Sequence, residues 1–366
     1  MAPRIYSLEK PSVEYLLAKM DHMSRMLDAG FPLEESKVDY ITDIDQRRDI
    51  FLLFKKFQDD NNIQPGLNAV GLAIILVAPI DQLQHLLNEL NTDKYPLCAI
   101  RAASIFATMQ IDAVLGIKAF IRAGSCCHGN PDRYWDRCDS FAAVIPSNYA
   151  PRRVLCPIRG TDDVSRARII PQYFCEKEFR DCISTMLRVF WDQKTVGLWE
   201  KLSAYKWFHE PPHTRLHISN SLHRLLSEAR VALKPLDKMK DGSIIVQLFW
   251  LKGTSLKPQE FLTKPHDSVS FEDVLKRAGL ENNQEWGSSL AFRADGHKLL
   301  SGQLFVLKAN KAVGIAAPRF ELLQLLWDLT RVAAICGAIN EADDLRNVDD
   351  VVDYMNSCEA EGNDNG

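Results

Sequence analysis

Along roughly the first 130 positions, apolar residues recur every three to four places, the spacing of helices that turn one face to a core. Residues 12–27 set Val13, Leu16, Leu17, Met20, Met23 and Leu27 on one side, and residues 35–57 do the same with Tyr40, Ile41, Ile44, Ile50, Leu53 and Phe54. After Pro65 and Gly66 comes the most apolar run, residues 69–80, about a dozen positions closed by Pro79. It is too short for a membrane span, which needs roughly 20 apolar residues, and reads as a buried strand or core helix. Residues 81–90, with Leu83, Leu86, Leu87 and Leu90, and residues 101–122 continue the helical pattern.

Past two turn-rich breaks, at residues 124–131 and 147–153, the pattern changes. Residues 243–251, SIIVQLFWL, are β-branched and aromatic and predict a buried strand, as do residues 304–307 after Ser301 and Gly302. Residues 318–340 predict a long amphipathic helix with Pro318 in its first turn. The expected organisation is a mostly helical region over 1–130, a linker over 131–152, an α+β domain over 153–342 and an acidic, disordered tail over 343–366.

Composition narrows the classes. The chain has 366 residues, of which 46% are hydrophobic and 25% charged, enough for a sizeable core. With 44 Lys and Arg against 48 Asp and Glu the net charge is −4, which argues against nucleic acid as the working partner. Nine cysteines, an odd number, and an N-terminus without an apolar signal stretch predict free thiols and a cytoplasmic, soluble protein with no membrane span. Walker, G-x-G-x-x-G and G-x-S-x-G motifs are missing from the sequence, so nucleotide-dependent chemistry and serine hydrolysis have no support.

The motifs with chemical content begin at Cys156-Pro157-Ile158-Arg159-Gly160. They continue with Ala167-Arg168-Ile169-Ile170-Pro171, Phe190-Trp191, Ser221-Leu222-His223 and Ala232-Leu233-Lys234-Pro235. SGQLFVL at residues 301–307 and the long string from Pro318 to Glu341 complete the series. Over residues 150–342 this order resembles fungal HNH-nuclease-like proteins, in which a Cys-x-x-x-Gly turn precedes Ala-His-Ile-Ile-Pro and a later helix carries Leu-His. The resemblance implies an α+β chain with a degenerate HNH (ββα-metal-like) core, following a helical N-terminal region and ending on a long C-terminal helix.

In such nucleases the first His is the general base, an Asn steadies it, and the helix His helps to hold one divalent metal. Here the base position is Arg168, whose guanidinium stays protonated and offers no acceptor, so it cannot take a proton from water. The Asn position falls at Thr214, nine residues before His223, and only His223 remains of the three. The chemistry of metal-dependent cleavage is therefore broken, and neither a metal nor another cofactor is expected.

Degenerate members of this neighbourhood include norbornene-forming Diels–Alderases of sordarin-type fungal terpenoid routes. The resemblance thus implies a cofactor-free cyclase acting on a small apolar substrate. Arg168 and His223 would polarise a carbonyl, and Trp191, Tyr205, Trp207 and Thr214 would line the pocket. Two other readings stay open: a nuclease-like fold that binds nucleic acid through the basic run Arg152, Arg153, Arg159, Arg166 and Arg168, and a non-catalytic interaction protein. Bland readings stand beside these. The aromatic stretch around residues 191–208 also suits core packing, and His223 suits a core pocket. His209, His213, His217 and His223 fall short of a helical metal cluster because Pro211 and Pro212 interrupt the spacing. Cys126, Cys127, His128 and Cys138 contain adjacent cysteines with poor geometry for one zinc ion.

Overall fold

The computed structural model describes residues 40–92, 97–125, 154–169, 177–203, 212–280, 291–310 and 315–341. The fold is mixed α+β with small antiparallel sheets. The expected helix over residues 12–27, the linker and the acidic tail lie outside the described residues. So do Tyr205, Trp207, His209 and the cysteine group at residues 126–138.

Four helices open the described chain: α1 (Ile44–Asp60), α2 (Ala69–Val77), α3 (Ile80–Thr92) and α4 (Leu97–Ala107). A π-turn over Thr108–Asp112 joins α4 to α5 (Ala113–Ser125). The apolar run that left strand and helix open is helical. Asn68 decides this: its Oδ1 accepts from the Gly71 N–H at 2.8 Å, capping α2, while its Nδ2 donates to the Met109 carbonyl at 3.1 Å in the π-turn. Every residue of α2 is buried, as expected of a helix that is apolar all round. In α1, Ile50 and Phe54 point inward as expected, but Leu53 is 37% exposed; the buried stripe runs through Arg47, Phe51 and Phe57 instead. Leu97–Ile121 is long and apolar enough to cross a membrane by length and composition, yet 67% of its most apolar window is buried inside the protein.

The later chain holds β1 (Val164–Arg168), α6 (Lys177–Phe190), α7 (Gln193–Ser203), β2 (Arg215–Ser219) and α8 (Asn220–Ser227). It then forms β3 (Val231–Lys238), β4 (Ile244–Trp250), α9 (Phe271–Arg277), β5 (Leu304–Leu307) and α10 (Phe320–Ile335). β1 and β2 form an antiparallel ribbon, and β3, β4 and β5 an antiparallel sheet in that order. The Ala-Leu-Lys-Pro motif lies in β3, where Pro235 is accommodated at a break in register with β4.

Helix α10 differs from its expected form at both ends and in its faces. Pro318 stands outside it; Arg319 takes an extended conformation, and its N–H donates to the His213 carbonyl at 3.0 Å. The helix stops because Gly337 adopts φ +71°, where an added Cβ would lie 2.0 Å from the Leu256 carbonyl oxygen. Thirteen of its sixteen residues are buried, so α10 is a central helix rather than an amphipathic one. It packs on β3, α2 and α5, which joins both halves of the described chain in one hydrophobic cluster running from Tyr40 to Ala338. Phe249 of β4 meets Trp327 with ring centroids 5.1 Å apart.

Candidate functional site

The Cys156 turn is closed by its own backbone. The Gly160 N–H donates to the Cys156 carbonyl at 2.7 Å, with Gly160 at φ +71°, and the Arg159 N–H points to the Cys156 sulfur at 3.3 Å. Cys156 is buried. Arg159 then reaches outward: its Nε donates to the Phe292 carbonyl at 2.8 Å, and its guanidinium also donates to the Ser221 hydroxyl. The turn is thereby pinned to the first turn of α8. The Ser219 hydroxyl caps that helix by accepting from the Leu222 N–H.

Strand, inserted helices, strand and helix follow one another in this unit, with Arg168 opposite Arg215 and Arg166 opposite His217 in the ladder. Successive residues of a strand point to opposite faces. Ser165, Ala167, Leu216 and Ile218 therefore share one face, of which Ala167, Leu216 and Ile218 are buried. Arg168, Arg215 and His217 belong to the other. Helix α8 covers the first face, where His223 Nδ1 and the Ser165 hydroxyl share a hydrogen bond of 3.2 Å. Arg168 and His223, expected to converge on one substrate, consequently lie on opposite sides of the ribbon. Thr214 is buried; its carbonyl accepts from the Ile169 N–H at 2.9 Å and extends the ladder by one bond.

Trp191 belongs to a different region. It is buried, and its indole N–H donates to Asp328 in α10 at 3.1 Å. The same carboxylate accepts from Arg331 at 2.6 Å and from Gln324 at 3.2 Å. Arg331 also donates to the Tyr40 carbonyl at 3.0 Å and lies over the Trp327 ring at 4.4 Å. Close by, Arg47 donates to the carbonyls of Thr42, Ile75 and Ala78. Burial, and then the positive charge of Arg331, pull the Arg47 guanidinium down to about 10. These contacts fasten α1, α2, α6 and α10 together.

A half-open groove of about 330 Å³, at the lower end of the size range of ligand sites, opens beside β2 and is lined there by Arg215, Leu216 and His217. Its polar lining comes from Arg215 and His217 of β2, Lys308 just past β5 and Asn310. Val154, Leu155, Val306 and Ile315 are among its apolar lining residues, and none of the described lining residues is Asp or Glu. Nearby His213 is not an additional cation at neutral pH, because burial and the Arg319 guanidinium push its imidazole below the ordinary value. Arg168 shares the groove's face of the ribbon through its partner Arg215, whereas His223, Thr214 and Trp191 do not line the groove.

His223 faces a hydroxyl, Arg168, the residue matched to the nuclease base by the sequence resemblance, lies on the opposite face, and among the described residues no three His, Cys, Asp or Glu come together. Of the four histidines considered from sequence, His209 lies outside the described residues, and His217 and His223 lie on opposite sides of the ribbon. Arg215 and Lys308 were not singled out from sequence, although the alternation of half-buried and buried residues in Arg-Leu-His-Ile-Ser carries the signal for Arg215 and His217. Comparison with protein-family models, curated proteins and solved structures returns no match.

Proposed function

We propose that this chain is a repurposed HNH-like protein of fungal terpenoid metabolism, a cofactor-free cyclase of the Diels–Alderase kind. Its working site is the groove beside the β1–β2 ribbon. The observation that carries this reading is the groove's composition, apolar residues together with the hydrogen-bond donors Arg215, His217 and Lys308. A cycloaddition needs no proton base. It needs a flexible polyene held in a near-attack geometry, which the walls Val154, Leu155, Val306 and Ile315 are suited to impose. It also gains from donors that polarise a conjugated carbonyl as electron density shifts toward the oxygen. Arg215 and His217 take that role, with Arg168 beside them, in place of the His223 donor expected from sequence. The strand–strand–helix order with His223 in its helix is consistent with descent from a ββα-metal core whose catalytic base is gone.

A second reading has its own observation: Arg168, Arg215 and His217 share one face of the ribbon, and that face would also meet a phosphate backbone. Thermal unfolding of EDTA-treated protein separates the two. A panel of neutral apolar terpenoids should raise the midpoint by a stability gain of a few kcal/mol when well above their dissociation constants. Stabilisation by Mg²⁺, Mn²⁺ or Zn²⁺ alone, or by a DNA duplex in low salt and not by terpenoids, would overturn the cyclase reading.

A further inference from the structure

Resting on that groove reading and going beyond it, we infer that the natural ligand is an organic acid. Its carboxylate is held by Arg215, His217 and Lys308, and its hydrocarbon body lies against Val154, Leu155 and Ile315. Two features converge on this. First, the polar positions of the groove are cationic or imidazole, apart from Asn310, and no carboxylate lines it among the described residues. Second, Arg215 presents a planar fork of donors that matches a carboxylate in two parallel hydrogen bonds, a geometry that lysine alone lacks.

A volume of about 330 Å³ accommodates a compact body of roughly a dozen carbon atoms with one acid group, at the low end of the range of small-molecule sites. For a cyclase the charge serves as an anchor: it holds one end of the chain and leaves the apolar lining residues to fold the rest.

The test uses the full chain and a matched pair of probes, geranate and geraniol, which share a terpenoid skeleton and differ in the charged head. Titration calorimetry at low salt should give geranate at least a tenfold lower Kd than geraniol. Arg215→Gln and, as an independent second variant at an exposed position, Lys308→Gln should each remove most of that preference, so that the ratio of the geraniol to the geranate Kd falls toward one. Equal affinities for geranate and geraniol in the unmodified protein would overturn the acid assignment and leave the apolar groove standing. Binding of neither probe would overturn both. A preference for geranate that survives in both variants would place the acid site elsewhere and equally contradict the inference.

Discussion

Two clusters of arginine in this molecule do opposite things. Around α10, Arg47 and Arg331 are sealed in the core, and their guanidiniums are consumed by backbone carbonyls, one carboxylate and an aromatic ring. On the β1–β2 ribbon, Arg168 and Arg215 stand opposite each other on the face that adjoins a groove. In the first cluster geometry is spent on joining helices; in the second, two guanidiniums share one face of a ribbon beside a groove. The difference teaches that arginine content, or even local basic runs, says little until the face of each residue is known. Burial turns the same side chain from a recognition element into a fastener.

The largest effect should come from breaking the sealed cluster. Asp328→Ala leaves the buried Arg331 guanidinium without its carboxylate and the Trp191 indole without its acceptor. A loss of about 3–5 kcal/mol in urea unfolding is expected, the usual cost of stranding one partner of a buried pair. Burial already pushes the Asp328 carboxyl up and the Arg331 guanidinium down, while the hydrogen bonds between them oppose both shifts. Arg215→Gln on the ribbon should change stability by no more than about 0.5 kcal/mol, in keeping with substitutions away from the core. Comparable losses for the two variants would erase the distinction between the clusters.

A smaller effect concerns acid. Asp267, in the loop that clasps α1, accepts from Lys55 and from the Lys264 and Val269 N–H groups. Burial alone would raise its carboxyl, but these donors outweigh that and hold it below the ordinary value of 3.8. A carboxyl depressed in the folded state adds stability above its unfolded value, and loses it as pH falls through the lower folded value. Asp267→Asn should therefore flatten the decline of stability with acid below about pH 4 without altering groove binding at pH 7. An unchanged acid slope would show that Lys55 and the loop contribute nothing through this group.

Much of the architecture was legible because burial repeats at the period of the element. Residues 81–90 showed their inward leucines, and the run of β-branched and aromatic residues in 243–251 marked β4 within one residue at each end. The apolar run at 69–80 was ambiguous because a segment apolar on every side loses its period; the Asn68 cap, acting on Gly71 and Met109, resolved it only in three dimensions. Helix α10 was misread as amphipathic since Asp328 and Arg331 look like solvent-facing residues until they are seen to satisfy each other. For the site, the motif order located the ribbon and its helix but not their faces. Arg168 and His223 are close in the motif logic yet separated by the pleat, while Arg215 and Lys308 come together from strands almost a hundred positions apart.

Hydrogen exchange of the full chain with and without bound geraniol tests most directly whether the groove is the working site. New protection is expected at residues 154–157, 215–217 and 306–308, the segments that line it. Protection confined instead to α8 around His223 and to Ser165 would place the ligand on the opposite face of the ribbon and contradict the assignment.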